Sequence, residues 1–495
     1  MDNWSNYAAL DLGGESGRAC ILRTDGKRIE IAEHHRYINR PVLISGHLYW
    51  NVAGIFQELK AGIESCARAA PSLSSVAIDT WGTDFGFVSK SDELVGLPFS
   101  YRDHKNDSML DLAREMISDS ELYSMTGIQV MKVNSLYQLL SLVREGLGIL
   151  EAADRLLFMP DLFAFLLCGA KTCEYTMAST SQLMDPVSKT WATELFERLE
   201  LPIEIMPEIV PSGTDLGTIL PEQACGMGVA GARVRACATH DTASAVAAVP
   251  VVNDGKPWAF ISSGTWSLVG TEIDRPVLTE EAREVNVTNE GGIDGTIRLL
   301  KNVTGMWLVQ RLRRDLSLRG THLGYDEIAA SAEAAEPFAR FIDPDDWAFH
   351  NPSDMVAAID AYCAKTRQSA PVSPGEYARC IYESLAYRYR EVIAALSRLT
   401  GKHFARIHII GGGAQVDLLN SFTADACGIE VYAGPYEATA IGNGIVQALS
   451  DGVFTSLADA RSAVGESFDV EIHNPANCDL WERDYYRFND VTGNR

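Results

Sequence analysis

The hydrophobic pattern alternates between short apolar runs and longer stretches of helical spacing, which predicts strands and helices in alternation. Residues 7–12 (YAALDL) predict a strand. It ends in a polar glycine turn, Gly13-Gly14-Glu15-Ser16-Gly17-Arg18; residues 19–23 resume as a strand, 24–26 turn, and 28–37 predict a third strand. The same grammar returns past the midpoint: 258–263 (WAFISS), a Gly264-Thr265 turn, then 266–271 (WSLVGT). Two such units predict a duplicated α/β fold. Helical spacing covers 52–69, 134–143, 156–167, 375–398 and 416–426, with small-residue helices at 244–248 and 437–449. Further strands are predicted at 75–79, 232–236 and 407–410, and 298–314 reads as a strand end feeding a helix. Residues 171–183 predict an irregular or hairpin-like segment, and 470–495 carry little signal.

In α/β chains, polar groups that do chemistry collect where strands end and helices begin. Thr239, His240, Asp241 and Thr242 occupy such a junction, near mid-chain at a plausible seam between two lobes. Asp241 there can cap the orphan N–H groups of the helix or take a proton from a substrate hydroxyl. The 13–18 turn can offer backbone N–H groups, Ser16 and Arg18 to an anion, or serve as an ordinary hairpin turn. Asp11, at the strand end beside it, suits Mg²⁺ directly or through water. Trp81 and Gly82 sit at another strand end, as polyol contacts or as a core indole and a turn. Gly411-Gly412-Gly413 lets a purine or phosphate approach the backbone, or allows close strand–helix packing. Residues 226–231 match G-x-G-x-x-G, but a strand follows the motif where a helix is required, so a dinucleotide fingerprint is rejected. No P-loop sequence is present.

Composition narrows the class. With 46% hydrophobic residues in 495, the chain is globular and long enough for two domains. Forty-two Lys and Arg against 66 Asp and Glu give a net charge of -24, which argues against a general nucleic-acid surface. No apolar run reaches the ~20 residues of a membrane span. The first residues lack the pattern of a signal peptide, so a cytoplasmic location is expected. The ten cysteines form no C-x-x-C pair and no zinc spacing, so reduced thiols are expected, with Cys363 and Cys380 left open as a pair.

These motifs, in order, resemble those of the FGGY carbohydrate kinases, and most closely their rhamnulokinase branch. The resemblance runs from about residue 7 to 449 and rests on LDLGGESGR at 10–18, GHLYW at 46–50, IDTWGTDFG at 78–86 and YRD at 101–103. It continues with TGIQ at 126–129, PDLF at 160–163, EYTMAST at 174–180, ATHDTASAV at 238–246, SSGTWSLVG at 262–270, LKNVTGMWLVQR at 300–311 and GGGAQ at 411–415. It implies an α/β, actin-like ATPase (ribonuclease H-like) fold with two duplicated lobes around a central cleft. It also implies ATP- and Mg²⁺-dependent phosphorylation of L-rhamnulose to its 1-phosphate. By position, Asp241 matches the catalytic base. Gly82, His240, Thr242 and Asn302 match sugar contacts; Gly13, Gly14, Glu15, Ser16, Gly17, Arg18 and Thr265 match the phosphate hairpins; Gln310 and Gly413 match nucleotide contacts. The expected lobes are 1–248, for sugar, first phosphate hairpin and base, and 249–495, for nucleotide, the last segment packing back on the first lobe. Glu15 departs from the small residue usual in that turn, and Asp417 stands where Asn is common. Rival readings are a kinase of L-fuculose, L-xylulose or another ketose, and a silent sugar or nucleotide sensor. The expected partners are the sugar and ATP, without nucleic acid or membrane, for a monomer or homodimer.

Overall fold

The computed structural model describes residues 4–493 except 71, 147, 230, 252 and 253. The chain divides into two compact units. The first comprises Met1–Val252, Glu272–Leu299 and Glu437–Ser467; the second comprises Asn253–Thr271, Leu300–Tyr436 and Phe468–Arg495. The helices that position functional residues are α1 (Val52–Ala69), α2 (Met159–Cys168), α3 (Asp241–Ala247), α4 (Trp307–Leu318), α5 (Asp417–Cys427) and α6 (Ala438–Ser450).

The first unit is built on strands β1 (Ser5–Leu12), β2 (Ser16–Thr24), β3 (Ile29–Ile38), β4 (Leu73–Thr80), β5 (Asp215–Thr218) and β6 (Arg233–Arg235), in the order β5-β6-β4-β1-β2-β3. β1 runs antiparallel to β2 and parallel to β4, β4 is parallel to β6, and β5 closes the edge antiparallel to β6. The near-continuous apolar run of β1 follows from burial on both faces. Ala8, Leu10 and Leu12 join Ile55, Leu59 and Ile63 of α1 in one core. Ala9, on the opposite face, meets Cys20 and Ala440 of α6. Asp11 alternates onto the Ala9 face, the side covered by α6.

The second unit holds, wholly or for most of their length, β7 (Trp258–Ser263), β8 (Trp266–Ile273), β9 (Ile297–Thr304), β10 (Arg406–Ile410), β11 (Glu430–Ala433) and β12 (Glu471–His473), in the order β9-β8-β7-β10-β11-β12. Reading outward from the hairpin, the pairings β8-β7-β10-β11-β12 are antiparallel, parallel, parallel and antiparallel. The first sheet gives the same succession over β2-β1-β4-β6-β5. The duplication expected from the two hairpins is therefore present in the sheets.

Three expectations about elements need correction. Residues 156–167 are not one helix. Arg155–Phe158 is a strand paired with Phe85–Val88, and α2 begins only at Met159, with Pro160 in its first turn. An apolar run alone cannot distinguish a buried strand from a buried helix, and Pro favours the first helical turn. α3 starts at Asp241, earlier than 244, because the polar junction residues adopt helical geometry. Residues 171–183 form a short strand (Thr172–Glu174), a turn of helix (Tyr175–Ala178) and a 3₁₀ turn (Ser179–Ser181). The region after 470 contains β12 and a helix, Cys478–Thr492. In the rejected 226–231 stretch, residue 230 lies outside the described residues. All ten cysteines are free thiols. Among the described residues, no helix is long and apolar enough to cross a membrane.

α6 reads as a small-residue helix for a steric reason. A Cβ on Gly442 would sit 1.7 Å from the Ser244 carbonyl oxygen of α3, and one on Gly444 would lie 2.6 Å from the Leu22 Cβ of β2. Neither obstacle is a flexible chain end, so the helix can approach only without side chains there. Gly442→Ala is therefore expected to destabilise the protein by about 1–3 kcal/mol, the usual cost of overpacking. Gly412→Ala, whose Cβ would meet nothing within 4 Å, serves as the control. Thermal and urea unfolding of the two variants measure the difference; equal stabilities would refute the close-contact argument.

Candidate active site

Strand register places three charged residues in a row. Asp11 of β1 is paired with Arg18 across the antiparallel β1–β2 hairpin and with Asp79 across the parallel β1–β4 pair. Arg18 donates to the Asp11 Oδ2 from Nε at 2.8 Å and Nη2 at 2.7 Å, and its Nη1 bonds Glu437, which precedes α6. Asp79 is fully buried. Its Oδ2 accepts a hydrogen bond from Asn443 Nδ2 at 2.6 Å, while its Oδ1 has no hydrogen-bond partner. One turn along α6, Gln447 donates to Asn443 Oδ1 and to the Ala8 carbonyl, and accepts from Ser75 Oγ. Burial pushes the Asp79 carboxyl well above the ordinary range, and nearby Asp11 adds to the shift.

The 13–18 turn is tight: Gly13 N–H donates to the Ser16 carbonyl at 2.8 Å, and Asn39 bridges to the Gly13 carbonyl. Gly17 is there for packing, since a Cβ would lie 2.3 Å from the Tyr37 ring, whereas Gly14 faces open space. Glu15 and Ser16 are exposed.

β4 ends beside the start of α3, where the Thr80 N–H donates to the Thr239 carbonyl at 2.9 Å. Glu174, fully buried, accepts from the N–H and hydroxyl of Thr239 at 3.0 and 2.9 Å and from Thr176, which in turn receives the His240 N–H. This carboxylate fixes the backbone just ahead of His240 and Asp241. His240 lies between charges: its Nε2 is 3.4 Å from Asp241 Oδ1 and its Nδ1 is 3.3 Å from Glu290 Oε2. Arg298, fully buried, stands 3.2 Å from both Glu290 and His240 Nδ1 and donates to the Gly291 carbonyl. Burial opposes ionisation of Glu290, but His240 and Arg298 outweigh it and hold the carboxyl below its ordinary value.

Asp241 occupies the first turn of α3, not its cap. Its Oδ1 accepts the Thr242 N–H at 2.5 Å and the Thr242 hydroxyl at 3.2 Å, and the side chain stays 31% exposed. Burial raises its pKa, His240 opposes the rise, and Asp11 adds to it. A carboxylate held on one side and open on the other can accept a proton from a bound hydroxyl. Gly82 borders the same place: a Cβ there would stand 3.3 Å from Thr180 Oγ1 and 3.5 Å from His240 Nε2.

Trp81 is a buried core indole, its ring centroid 4.2 Å from that of Trp50 with the planes tilted by 40°. Both indole N–H groups donate to Asp84 Oδ2, at 3.0 and 2.5 Å, and Gln138 donates to Oδ1. Burial pushes the Asp84 carboxyl up to about 6 against these donors.

The remaining predicted residues belong to the second unit. Thr265 lies in the β7–β8 turn, whose carbonyls at Gly264 and Thr265 accept from Met306 and Trp307 at the start of α4. Asn302 is half-buried on β9, and Gln310 lies on α4 with its Oε1 buried and unpaired. Gly413, in the 3₁₀ turn before α5, touches the end of β7: a Cβ would fall 1.9 Å from Ser263 Oγ. Asp11, 13–18, Gly82, His240, Asp241 and Thr242 are thus gathered in the first unit, and Thr265, Asn302, Gln310 and Gly413 in the second. The sequence reading missed Asp79, Asp84, Glu174, Glu290 and Arg298. Asp79, Asp84 and Glu174 fell inside recognised motifs, and none of them carried a role.

Residues 6–248 match the N-terminal domain model of the FGGY family of carbohydrate kinases, and residues 259–450 match its C-terminal domain model. A rhamnulokinase of Bacteroides thetaiotaomicron is 42% identical over 98% of each chain. One of Bacillus subtilis is 36% identical over 96% of each. In structure, a ligand-bound xylulose kinase from Lactobacillus acidophilus superposes with a TM-score of 0.81 at 14% identity, over 99% of this chain and 98% of that one. That likeness establishes the actin-like α/β fold with its two sheet-bearing units.

The Asp84 shift has a sign that can be measured. A carboxyl raised in the folded state binds more protons there than when unfolded, so its contribution to stability falls as pH rises through about 6. Relative to Asp84→Asn, the wild type should gain stability as pH drops from 8 towards 5, by at most about 1.4 kcal/mol per pH unit. Urea unfolding across that range would show a flat difference if the carboxyl were not raised.

Proposed function

The chain belongs to the FGGY family of carbohydrate kinases, and on that premise we propose that it transfers the γ-phosphoryl group of ATP to L-rhamnulose, forming L-rhamnulose 1-phosphate, with Asp241 as general base. The near full-length relatives bearing the rhamnulokinase name support the substrate. The observation that carries the mechanism is Asp241 itself: a carboxylate fixed by Thr242, flanked by His240 and still partly open. Phosphoryl transfer depends mainly on positioning and charge stabilisation, and a general base adds about 10²–10⁴-fold. A carboxyl raised by burial is better matched to neutral pH than an ordinary aspartate.

In this reading His240, Thr242 and Gly82 orient the sugar. Glu290 and Arg298 hold the His240 ring in place. The 13–18 turn and Thr265 hold phosphates, and Gln310 and Gly413 hold the nucleotide. The unpaired Asp79 Oδ1 beside Asp11 marks an acidic row with one arginine as counter-charge, which fits a divalent cation. Because Arg18 occupies Asp11 Oδ2, Asp11 would hold Mg²⁺ through water. The ion would supply charge neutralisation to the phosphate oxygens. The protein works in the cytoplasm, as a monomer or homodimer.

ATP consumption with L-rhamnulose, L-fuculose, L-xylulose, D-xylulose and glycerol tests the substrate. Turnover should be strongest on L-rhamnulose; a preference for another ketose would move the substrate and leave the chemistry at Asp241. Asp241→Asn should lower kcat by about 10²–10⁴-fold while sugar binding, followed by calorimetry, persists. Near-native turnover in that variant would remove Asp241 as base. Glu15→Ser should retain turnover, since the side chain is exposed at the turn.

A further inference from the structure

A second cluster of ligating groups lies in the second unit and takes no part in the chemistry proposed above. Glu471 and His473 are two apart on β12, so they share one face of the strand, and Ile472 between them points the other way. Asp417 and Ser421 are four apart on α5, so they too share a face. These two faces meet. Ser421 Oγ lies 3.1 Å from His473 Nδ1, and the ligating atoms of Asp417, Glu471 and His473 all fall within 4.8 Å of one another.

The histidine carries the argument. His473 is only 9% exposed, yet its Nε2 has no hydrogen-bond partner among the described residues. The nearest anionic oxygen, Glu471 Oε1, is 3.9 Å away, too far for a hydrogen bond. A buried imidazole nitrogen left unpaired is costly unless something else occupies it. Ser421 fixes the ring through Nδ1, the arrangement that leaves Nε2 as a metal ligand and stabilises its tautomer. Asp417 and Glu471 are exposed, so their side chains can close the remaining ångström without disturbing the fold. Among the described residues neither has a Lys or Arg within ion-pair distance. Tyr436 senses the same uncompensated charge: burial raises its hydroxyl pKa, and Glu471, Asp417 and Asp469 raise it further.

We propose that His473, Glu471 and Asp417 form a binding site for a first-row divalent transition-metal ion. One imidazole nitrogen and two carboxylates suit Mn²⁺, Co²⁺ or Zn²⁺, with water completing the shell. The bound ion ties the short edge strand β12 to the first turn of α5.

The test is a Co²⁺ titration of the full chain, stripped with chelator and free of Mg²⁺ and nucleotide, followed by visible d–d absorption. The wild type should show saturable binding of one ion per chain. Asp417→Asn and Glu471→Gln, both at exposed positions where folding is not at stake, should each weaken binding by more than about tenfold. His473→Gln should abolish it. His104→Gln alters the other ligating cluster, His47, Asp103 and His104, and should change nothing. Absence of a spectral change in the wild type would overturn the proposal. So would binding that survives the Asp417 and Glu471 substitutions, or binding lost in His104→Gln.

Discussion

The approach of α6 to α3, so close that Gly442 lies against the Ser244 carbonyl, is the constraint on which the first unit's polar geometry depends. A helix held at that distance brings Asn443 onto Asp79, Gln447 onto the backbone of β1, and Glu437 onto Arg18. Each is a side chain of ordinary length, and none would reach if the helix stood off by the radius of a methyl group. The packing of α6 thereby orients a charged row belonging to strands more than 350 residues earlier in the sequence.

Around that row the site is organised by buried carboxylates acting as acceptors. Glu174 collects the N–H and hydroxyl groups that set the backbone before His240, and Asp84 collects two indoles and an amide. Glu290 with Arg298 brackets the imidazole. Low-dielectric surroundings make such contacts directional and expensive to break, so they fix positions more than they add net stability. Asp241 differs in keeping one side open, which separates a group that reacts from groups that hold.

Much of the fold was legible because its signals are local. The two hairpins declare themselves through apolar runs broken by glycine turns, and α1 through its spacing. The apolar run 156–167 misled because strand and helix read alike when both faces are buried, and only the pairing of Arg155–Phe158 with Phe85–Val88 decides between them. Asp241 and His240 were visible as polar residues at a strand–helix junction. Glu290 and Arg298 were not, because a lone charged residue in sequence looks solvated, and Asp79, though inside the 78–86 motif, carried no role. Their partners lie across the sheet or far along the chain: Arg298 meets His240 58 residues away, and Asp79 meets Asn443 364 residues away. One glycine of the 13–18 turn has a steric demand that the sequence did not show, since Gly17 makes room for Tyr37.

The membership of Glu437–Ser467 in the first unit has a consequence for how the protein is made. A ribosome delivers β1, β2 and β4 early, yet the helix that covers their second face emerges only after about 185 further residues beyond Val252. At about 5–20 residues per second, that interval lasts roughly 10–40 s. Throughout it the nascent chain carries an uncovered sheet face with Ala9, Cys20 and the buried carboxylate of Asp79 open to water. Synthesis order therefore gives this protein a long-lived incomplete state, and its first half is a natural client for chaperones until about the last eighth of the chain arrives.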